Sequence, residues 1–363
     1  AELRSLGGLP GALLLLEAEG GEVTFVRQTS ASGFGDGEPI LPLTAEEDAI
    51  YSYRLGVNMG NTTLTPHFPR TAELARAMWA DRFDEEVDGV LSVDPVALQY
   101  VLAAAGPVRM ASGQQLNGEN TARFLLNDVY RTVADPAEHN PIFADAARSV
   151  FAALTGGQGD AAGSIAALAR AAEEGRVMVW SAHPEEQALL AGTVLAGELR
   201  GEADGSPVVG VYVNDGIAAK IGYYLELDVR LERTACLGDG RREFTLTVEM
   251  TSTAPPDVAE YPGYVRGFGW RVPVGVMRQN VAIYGPTGGW IESVQVDGRP
   301  AQVASYVHDC LAVAMRTVDL APGESTTIEV LIISGVDQER PAQLRVTPTA
   351  NTPTTVVFDY PCD

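Results

Sequence analysis

The sequence predicts two kinds of fold in one chain, an α/β domain over residues 1–222 and an all-β sandwich over residues 223–363. Three observations carry this reading. As far as about residue 200, strand-length apolar runs alternate with capped, amphipathic segments. From Tyr223 onward, short runs recur between Gly, Pro and Asp turn signals, with no helical period. At 363 residues, the chain is also long enough for two or three cores.

The chain opens AELRSLGGLPGALLLLEAEGGEVTFV. Its run Ala12–Leu16 is too short for a signal-peptide core or a membrane helix, and Glu17 and Glu19 follow at once. Ala12–Leu16 and Val23–Val26 flank Glu19-Gly20-Gly21-Glu22, whose two glycines suit positive φ, so the spacing predicts a β-hairpin. The leucines do not alternate with polar residues, and the first strand is expected to be buried on both faces. Any export or anchoring segment is expected to lie before Ala1.

After the Gly/Pro-rich stretch Ser30–Leu43, Thr44-Ala-Glu-Glu47 has the form of a capping box opening a short helix. A helix is expected from Thr71 to about Phe83, with Leu74, Met78 and Trp79 on one face. Gly89–Val93 reads as a strand, Asp94 as an N-cap, and Pro95 as the first residue of a helix reaching Ala105. Further helices are expected from about Asn117, near 142–154 and 160–174, and over PEEQALLAGTVL, with a strand at Val177–Ser181. Such an order implies helices packed on a mostly buried mixed sheet. Beyond Tyr223, two long alternating strands meet at Gly238-Asp239-Gly240. NVAIYG, WIESVQVDG, CLAVAMRTVDL, TTIEVLIIS, QLRVTP and TTVVFDY supply the rest, the pattern of an immunoglobulin-like sandwich.

Acidic residues outnumber basic ones 48 to 25, for a net charge of −23. A nucleic-acid partner, which needs a basic stripe, is not expected. Lys220 is the sole lysine, and the abundance of Arg, Ala, Gly and Val points to a high-GC genome of actinobacterial type. Cys236, Cys310 and Cys362 have no metal-ligand spacing. One disulfide in an oxidising compartment is expected, its pairing left open, because Cys236 and Cys362 end strand-like runs; three inert thiols are the alternative. His67 has no second ligand at metal spacing, and no nucleophile elbow, phosphate loop, dinucleotide fingerprint or zinc helix is present.

Several pieces of the chain carry a family resemblance: AELRSLGG, VDGVLSVDPVALQYVLAAAGPV, LNGENTARFLLNDVY, SAHPEEQALL, NDGIAAKIGYY and YPGYVRGF. They resemble a bacterial domain-of-unknown-function family (DUF 4012), frequent in actinobacterial surface-polysaccharide regions. More distantly, Arg4, the hairpin 12–26, Asp94 to Val108 and Leu116-Asn117-Gly118-Glu119 fall in the order of the LytR-CpsA-Psr phosphotransferases. The resemblance implies an extracytoplasmic, membrane-tethered protein of the cell envelope. Its partner would be a glycopolymer or a lipid-linked glycan carried on polyprenyl diphosphate, and Mg would serve if it is a phosphotransferase. Where those enzymes place arginine and aspartate after the second hairpin strand, this chain reads VRQTSAS, and the arginine pair after LNGE is replaced by Leu126 to Asp128. Diphosphate chemistry needs fixed positive charge on the phosphate oxygens. A catalytically inactive scaffold or binding protein is therefore the second expectation.

The residues that could carry chemistry follow from both readings. Arg4, the family cation in register, holds a phosphate or sugar, or else pairs with Glu2 or a loop carboxylate. Lys220 contacts an anionic group, or bonds carbonyls at a domain junction; these two are the catalytic candidates. Asn58, Asn61, His67 and Arg70 share one Gly/Pro-punctuated stretch whose amides and guanidinium suit sugar hydroxyls, with local Asx turns as the alternative. Arg131 and Arg148 lie on the helices that carry the transferase arginines, where a solvated helix face is the alternative. No metal-binding residue is expected.

Overall fold

The computed structural model describes residues 2–35, 37–133, 135–156 and 159–360. Helices and sheets are mixed along the chain, which divides into two compact units. One comprises Gly7–Pro42 and Tyr53–Gly197; the other comprises Ala1–Leu6, Leu43–Ser52 and Glu198–Asp363. The division thus falls at 197/198, not 222/223, and the second unit draws in two segments from the start of the chain.

In the first unit, strands β1 (Ala12–Glu19) and β2 (Glu22–Ser30) form the expected hairpin. Gly20 and Gly21 turn it at φ 61° and 88°, values that a side chain would resist. Burial of β1 on both faces is not found: its leucines are half-buried. Leu13 and Leu15 pack on one side against the cluster of Phe34, Met59, Met78 and Trp79, and the residues near the turn are exposed. Helix α1 (Phe68–Phe83) starts three residues earlier than expected because Pro69 takes its first turn, and Leu74, Met78 and Trp79 are buried as anticipated. Strand β3 (Gly89–Val93) leads through the N-cap Asp94 into helix α2 (Pro95–Ala105), whose Ala97 N–H donates to the Asp94 side chain at 2.7 Å.

A broken helical stretch from Thr121 to Thr132 contains a π turn over Phe124–Asp128. Helices α3 (His139–Thr155) and α4 (Ala161–Glu173) and strand β4 (Val177–Ser181) complete the unit's main elements. The expected mixed sheet is not found here. Among the described residues, the strands of this unit make three separate antiparallel pairs: β1 with β2, β3 with β4, and Val108–Arg109 with Gln115–Leu116. Three small cores replace one large one: the Phe34 cluster, a second around Leu102 and Leu116, and a third where Ala97 meets Ala171 and Ala172.

The second unit is a pair of facing six-stranded sheets. Its strands are β5 (Ser206–Asp215), β6 (Leu225–Cys236), β7 (Arg242–Ser252), β8 (Met277–Tyr284) and β9 (Trp290–Val296). They continue with β10 (Ala304–His308), β11 (Leu311–Leu320), β12 (Ser325–Ile333), β13 (Gln343–Val346) and β14 (Thr354–Phe358). One sheet runs β9-β12-β7-β6-β14, with Arg299–Pro300 on its β9 edge; the other runs β10-β11-β8-β5-β13, with Glu202–Ala203 paired to β5. All pairings are antiparallel except β13 on β5 and β14 on β6.

Period-2 patterning builds the core. In β6, Leu225, Leu227, Val229 and Leu231 are buried, while Glu226, Asp228, Arg230 and Glu232 face solvent. With Phe244, Leu246 and Val248 of β7 and Ile328, Val330 and Ile332 of β12, they close on Val209, Val211, Val213 and Ile283 of the facing sheet. Each such side chain contributes about 1.5–3 kcal/mol by leaving water.

Strand β5 was hidden in the sequence because it does not alternate: all ten residues are buried. Its odd-numbered valines face the core. On the other side, Tyr212 and Tyr284 pack with Leu199, Leu311 and Ile50 of the short helix Ala45–Tyr51. That helix carries the expected capping box, Thr44 and Glu47 each bonding the other's backbone N–H. The hydroxyls of its Tyr51 and of Tyr284 lie 3.0 Å apart, and Tyr284 meets His308 Nδ1 at 2.9 Å.

Cys236 is disulfide-bonded and Cys310 is a free, exposed thiol. Cys362 lies outside the described residues. Among the described residues, no helix is long and apolar enough to cross a membrane.

Candidate functional site

The two catalytic candidates, Arg4 and Lys220, meet on one carboxylate. The chain start is laid along the end of β5: Asp215 N–H donates to Leu3 O at 2.9 Å, and Ser5 N–H donates to Asn214 Oδ1 at 2.9 Å. Asn214 Nδ2 returns a bond to Ser5 Oγ, and Thr347 Oγ1 donates to Ser5 O, each at 2.9 Å. Leu3, fully buried, plugs into the sandwich core. The next residue, Arg4, is thereby fixed at the end of the sheet.

There its Nη2 donates to Glu2 Oε1 at 2.6 Å and its Nη1 to Leu3 O at 2.9 Å. Lys220 Nζ donates to the other Glu2 oxygen, Oε2, also at 2.6 Å. Asp215 delivers this lysine, because its Oδ2 accepts from Ile217 N–H at 3.0 Å and Ala219 N–H at 3.2 Å. The turn so formed holds Ala218 at φ 55° and leads into the single 3-10 turn Lys220–Tyr224.

Electrostatics follow from burial and charge. Glu2, Arg4 and Asp215 are each less than one-tenth exposed. Burial alone would raise the Glu2 carboxyl, but Lys220 and then Arg4 outweigh it and hold the group below the usual glutamate value. Asp215 has no such cation in contact. Burial first, and the Glu2 charge second, push it up to about 6, against Arg4 and the two turn amides. Three buried groups at this end keep unpartnered polar atoms: Arg4 Nε, Asp215 Oδ1 and both amide atoms of Gln279. Gln279 is the direct cross-strand neighbour of Asp215.

Chemically, the arrangement is a closed ion triad in which two cations share one carboxylate. Both Glu2 oxygens are engaged by cations, and neither Arg4 Nη2 nor Lys220 is poised as an open fork for a phosphate. For the Mg implied by the phosphotransferase resemblance, the donors here do not make a set: both Glu2 oxygens are engaged by cations, and Asp215 Oδ1 is a single free carboxylate oxygen where a hard cation takes about six oxygen ligands. Among the described residues, no group of three or more His, Cys, Asp or Glu is arranged around a metal-sized space.

The remaining candidates belong to the other unit. The Gly/Pro-punctuated stretch Asn58 to Arg70 holds a short 3-10 turn, Met59–Leu64, and the first residues of α1. Asn58 sits at the N-terminus of that turn, where its carbonyl accepts Asn61 N–H at 3.0 Å. His67 occupies the N-cap position of α1 without a side-chain capping bond. Arg70 donates to Pro42 O at 2.7 Å and pairs with Glu73 at 3.3 Å. Arg131 and Arg148 are exposed on helical surfaces.

Asp94 has a second duty that spacing did not suggest. Besides capping α2, it receives Arg176 Nη1 at 2.7 Å, and Arg176 Nε reaches Glu174 at 2.7 Å. Glu174 also accepts from Tyr100 at 3.0 Å and from Arg170 at 2.9 Å. The Arg4–Glu2 pair, the alternative offered for Arg4, is the one found, but the second cation on Glu2 had no local signal. Asp215 and Gln279 had none, because only the fold brings them together.

A family model described as "Protein of unknown function (DUF4012)" matches residues 1–130 and supports the family resemblance over that part of the chain. No curated protein matches. Among solved structures, a substrate-bound M1 zinc metallopeptidase from Deinococcus radiodurans is 15% identical with a TM-score of 0.17. That match covers 30% of this chain and 20% of the metallopeptidase. A putative nutrient binding protein from Legionella pneumophila is 7% identical over 36% of this chain and 50% of that one, with a TM-score of 0.21. TM-scores this low carry no argument about fold or function.

Proposed function

We propose that this chain is an extracytoplasmic cell-envelope protein that binds a wall or capsular polysaccharide and does not transfer it. The observation that carries the reading is the Glu2 triad. The two cations that would have to hold a diphosphate are each 2.6 Å from a buried carboxylate of their own chain. Pulling either onto a substrate would leave Glu2 buried and under-compensated, at a cost of several kcal/mol. The glycopolymer class rests on the order of segments resembling the LytR-CpsA-Psr phosphotransferases and on the unknown-function family's frequency in surface-polysaccharide regions. An immunoglobulin-like reading of the sandwich fits a surface-exposed binding module.

The test uses the full chain with a polyprenyl diphosphate-linked glycan, an acceptor peptidoglycan and Mg. Retention on the purified polysaccharide without release of polyprenyl phosphate is expected. Turnover of the lipid-linked glycan would overturn the proposal in favour of a divergent phosphotransferase. Protease digestion of intact cells checks the location, and a chain protected from added protease would contradict the extracytoplasmic assignment.

A further inference from the structure

We infer that the surface around Phe268 and Trp270 is the glycan-binding site, a stacking platform for uncharged pyranose rings. This rests on the polysaccharide-binding function proposed above and adds the residues that perform it. The segment YPGYVRGF, residues 261–268, has no role in the Glu2 triad and leads directly into the platform. Trp270 is 85% exposed and Phe268 50% exposed. Their rings stack face to face at 5.0 Å between centroids with only 20° between planes, so Phe268 backs the indole of the largely exposed Trp270. Large exposed aromatics held together in this way carry an unmet apolar surface.

The base beneath them is rigid. Gly263–Arg266 forms a helical turn whose Val265 is buried, and Val272, two residues after Trp270, is buried as well. Gly275 N–H donates to Arg266 O at 2.9 Å, and Arg266 Nε donates to Tyr261 O at 2.7 Å. A Cβ at Gly263 would lie 2.6 Å from the Phe268 ring, so that ring is seated directly over the glycine backbone. Gly267 and Gly269, at φ 81° and 76°, alternate with the aromatics and lift them outward. The same helical turn packs against Lys220–Tyr224.

Charge selects the occupant. Between Glu260 and Glu292 there is no acidic residue, the longest such interval in a chain of net charge −23, and it holds Arg266, Arg271 and Arg278. Glu260 borders this interval on the turn that packs against Gly263–Arg266, so an anionic polymer or bilayer meets that carboxylate as well as the repulsion of the molecule as a whole. An uncharged sugar ring meets neither obstacle. Its C–H face has the partial positive charge that complements the negative face of an indole, and the exposed Arg271 offers donors to hydroxyl oxygens.

The experiment is native affinity electrophoresis of the full chain in gels containing dextran, laminarin or mannan. Retardation by at least one of these is expected. The apparent affinity should fall about tenfold or more in Trp270→Ala and less in Phe268→Ala. Trp290→Ala, on the far-off strand β9, serves as a control with unchanged retardation. Retardation that survives Trp270→Ala would overturn the platform and leave the glycan-binding function standing. No retardation of the wild type by any of the three would overturn both. Trp270-dependent uptake by phosphatidylcholine vesicles, without glycan retardation, would assign the surface to a bilayer and also overturn the platform.

Discussion

At the scale of single residues, the chain start is an electrostatic lock. Glu2 is the one carboxylate shared by Arg4 and Lys220, so Glu2→Gln leaves two cations without their counter-charge in a largely buried place. A loss of about 3–5 kcal/mol in urea-unfolding stability is expected. A loss below 1 kcal/mol would mean that the triad is solvated and its cations available to a ligand. Asp215 works in the opposite sense. Its folded value of about 6 lies above the ordinary 3.8, so between those pH values the folded state binds more protons than the unfolded one. Its contribution is fully favourable only below about pH 4 and is lost as pH rises through 6, a difference of up to about 3 kcal/mol. Asp215→Asn keeps an oxygen for the two turn amides and should raise the urea midpoint at pH 7.5 while leaving it unchanged at pH 4. Equal midpoints for wild type and variant at pH 7.5 would show that Asp215 is not strained. Cysteine chemistry is simpler: alkylation without reductant should label Cys310 and spare Cys236. A labelled Cys236 in the native protein would contradict the disulfide.

At the scale of elements, local signals with a mechanism were readable and long-range ones were not. The turn Gly20-Gly21, the capping box at Thr44 and the Asp94-Pro95 start of α2 were legible because each satisfies its own backbone within four residues. The strands beyond Tyr223 were legible because one face is wet, and alternation records that. Strand β5 was not, since a strand covered on both sides loses its alternation. The same ambiguity ran the other way at β1, whose leucine run suggested double burial and is half-exposed. Asp94 was read correctly as a cap, but Arg176, which lies far away in sequence, makes it a structural hub. Asp94→Ala removes both the cap and one of the carboxylate partners of Arg176, a side chain that is 1% exposed. A loss of about 3 kcal/mol or more is expected, with helical CD signal melting first. A loss of about 1 kcal/mol would assign Asp94 to capping alone.

At the scale of the whole molecule, the candidate site was legible only as a set of residue types. Arg4 and Lys220 were singled out separately, and the fold then joined them in a role neither sequence context specified. The family-matched region 1–130 supplies pieces to both units, so it does not coincide with either. The boundary at 222 failed to separate the units for the same reason: β5 precedes it in sequence yet is bonded on both sides within the second sheet. A fragment of residues 223–363 lacks that strand, Leu3 and the helix Ala45–Tyr51. It should be unfolded or molten, with a collapsed near-UV CD and poorly dispersed amide spectrum. A well-dispersed spectrum would restore 222 as an autonomous boundary.

The docking of Glu2–Ser5 beside β5 also bears on the order in which the polypeptide is made. Residues 2–5 leave the ribosome before residues 7–197, yet they belong to the unit completed after them, because β13 and β14 pair with β5 and β6. Residues 7–42 and 53–197 can fold while the leading segment waits, and each contact inside that unit shortens the loop that the waiting segment must close. The sandwich is therefore a late assembly with non-local pairings, slow by topology. Until its final strands emerge, Leu3 and the apolar faces of β5 remain exposed to whatever chaperone or export machinery handles the nascent chain.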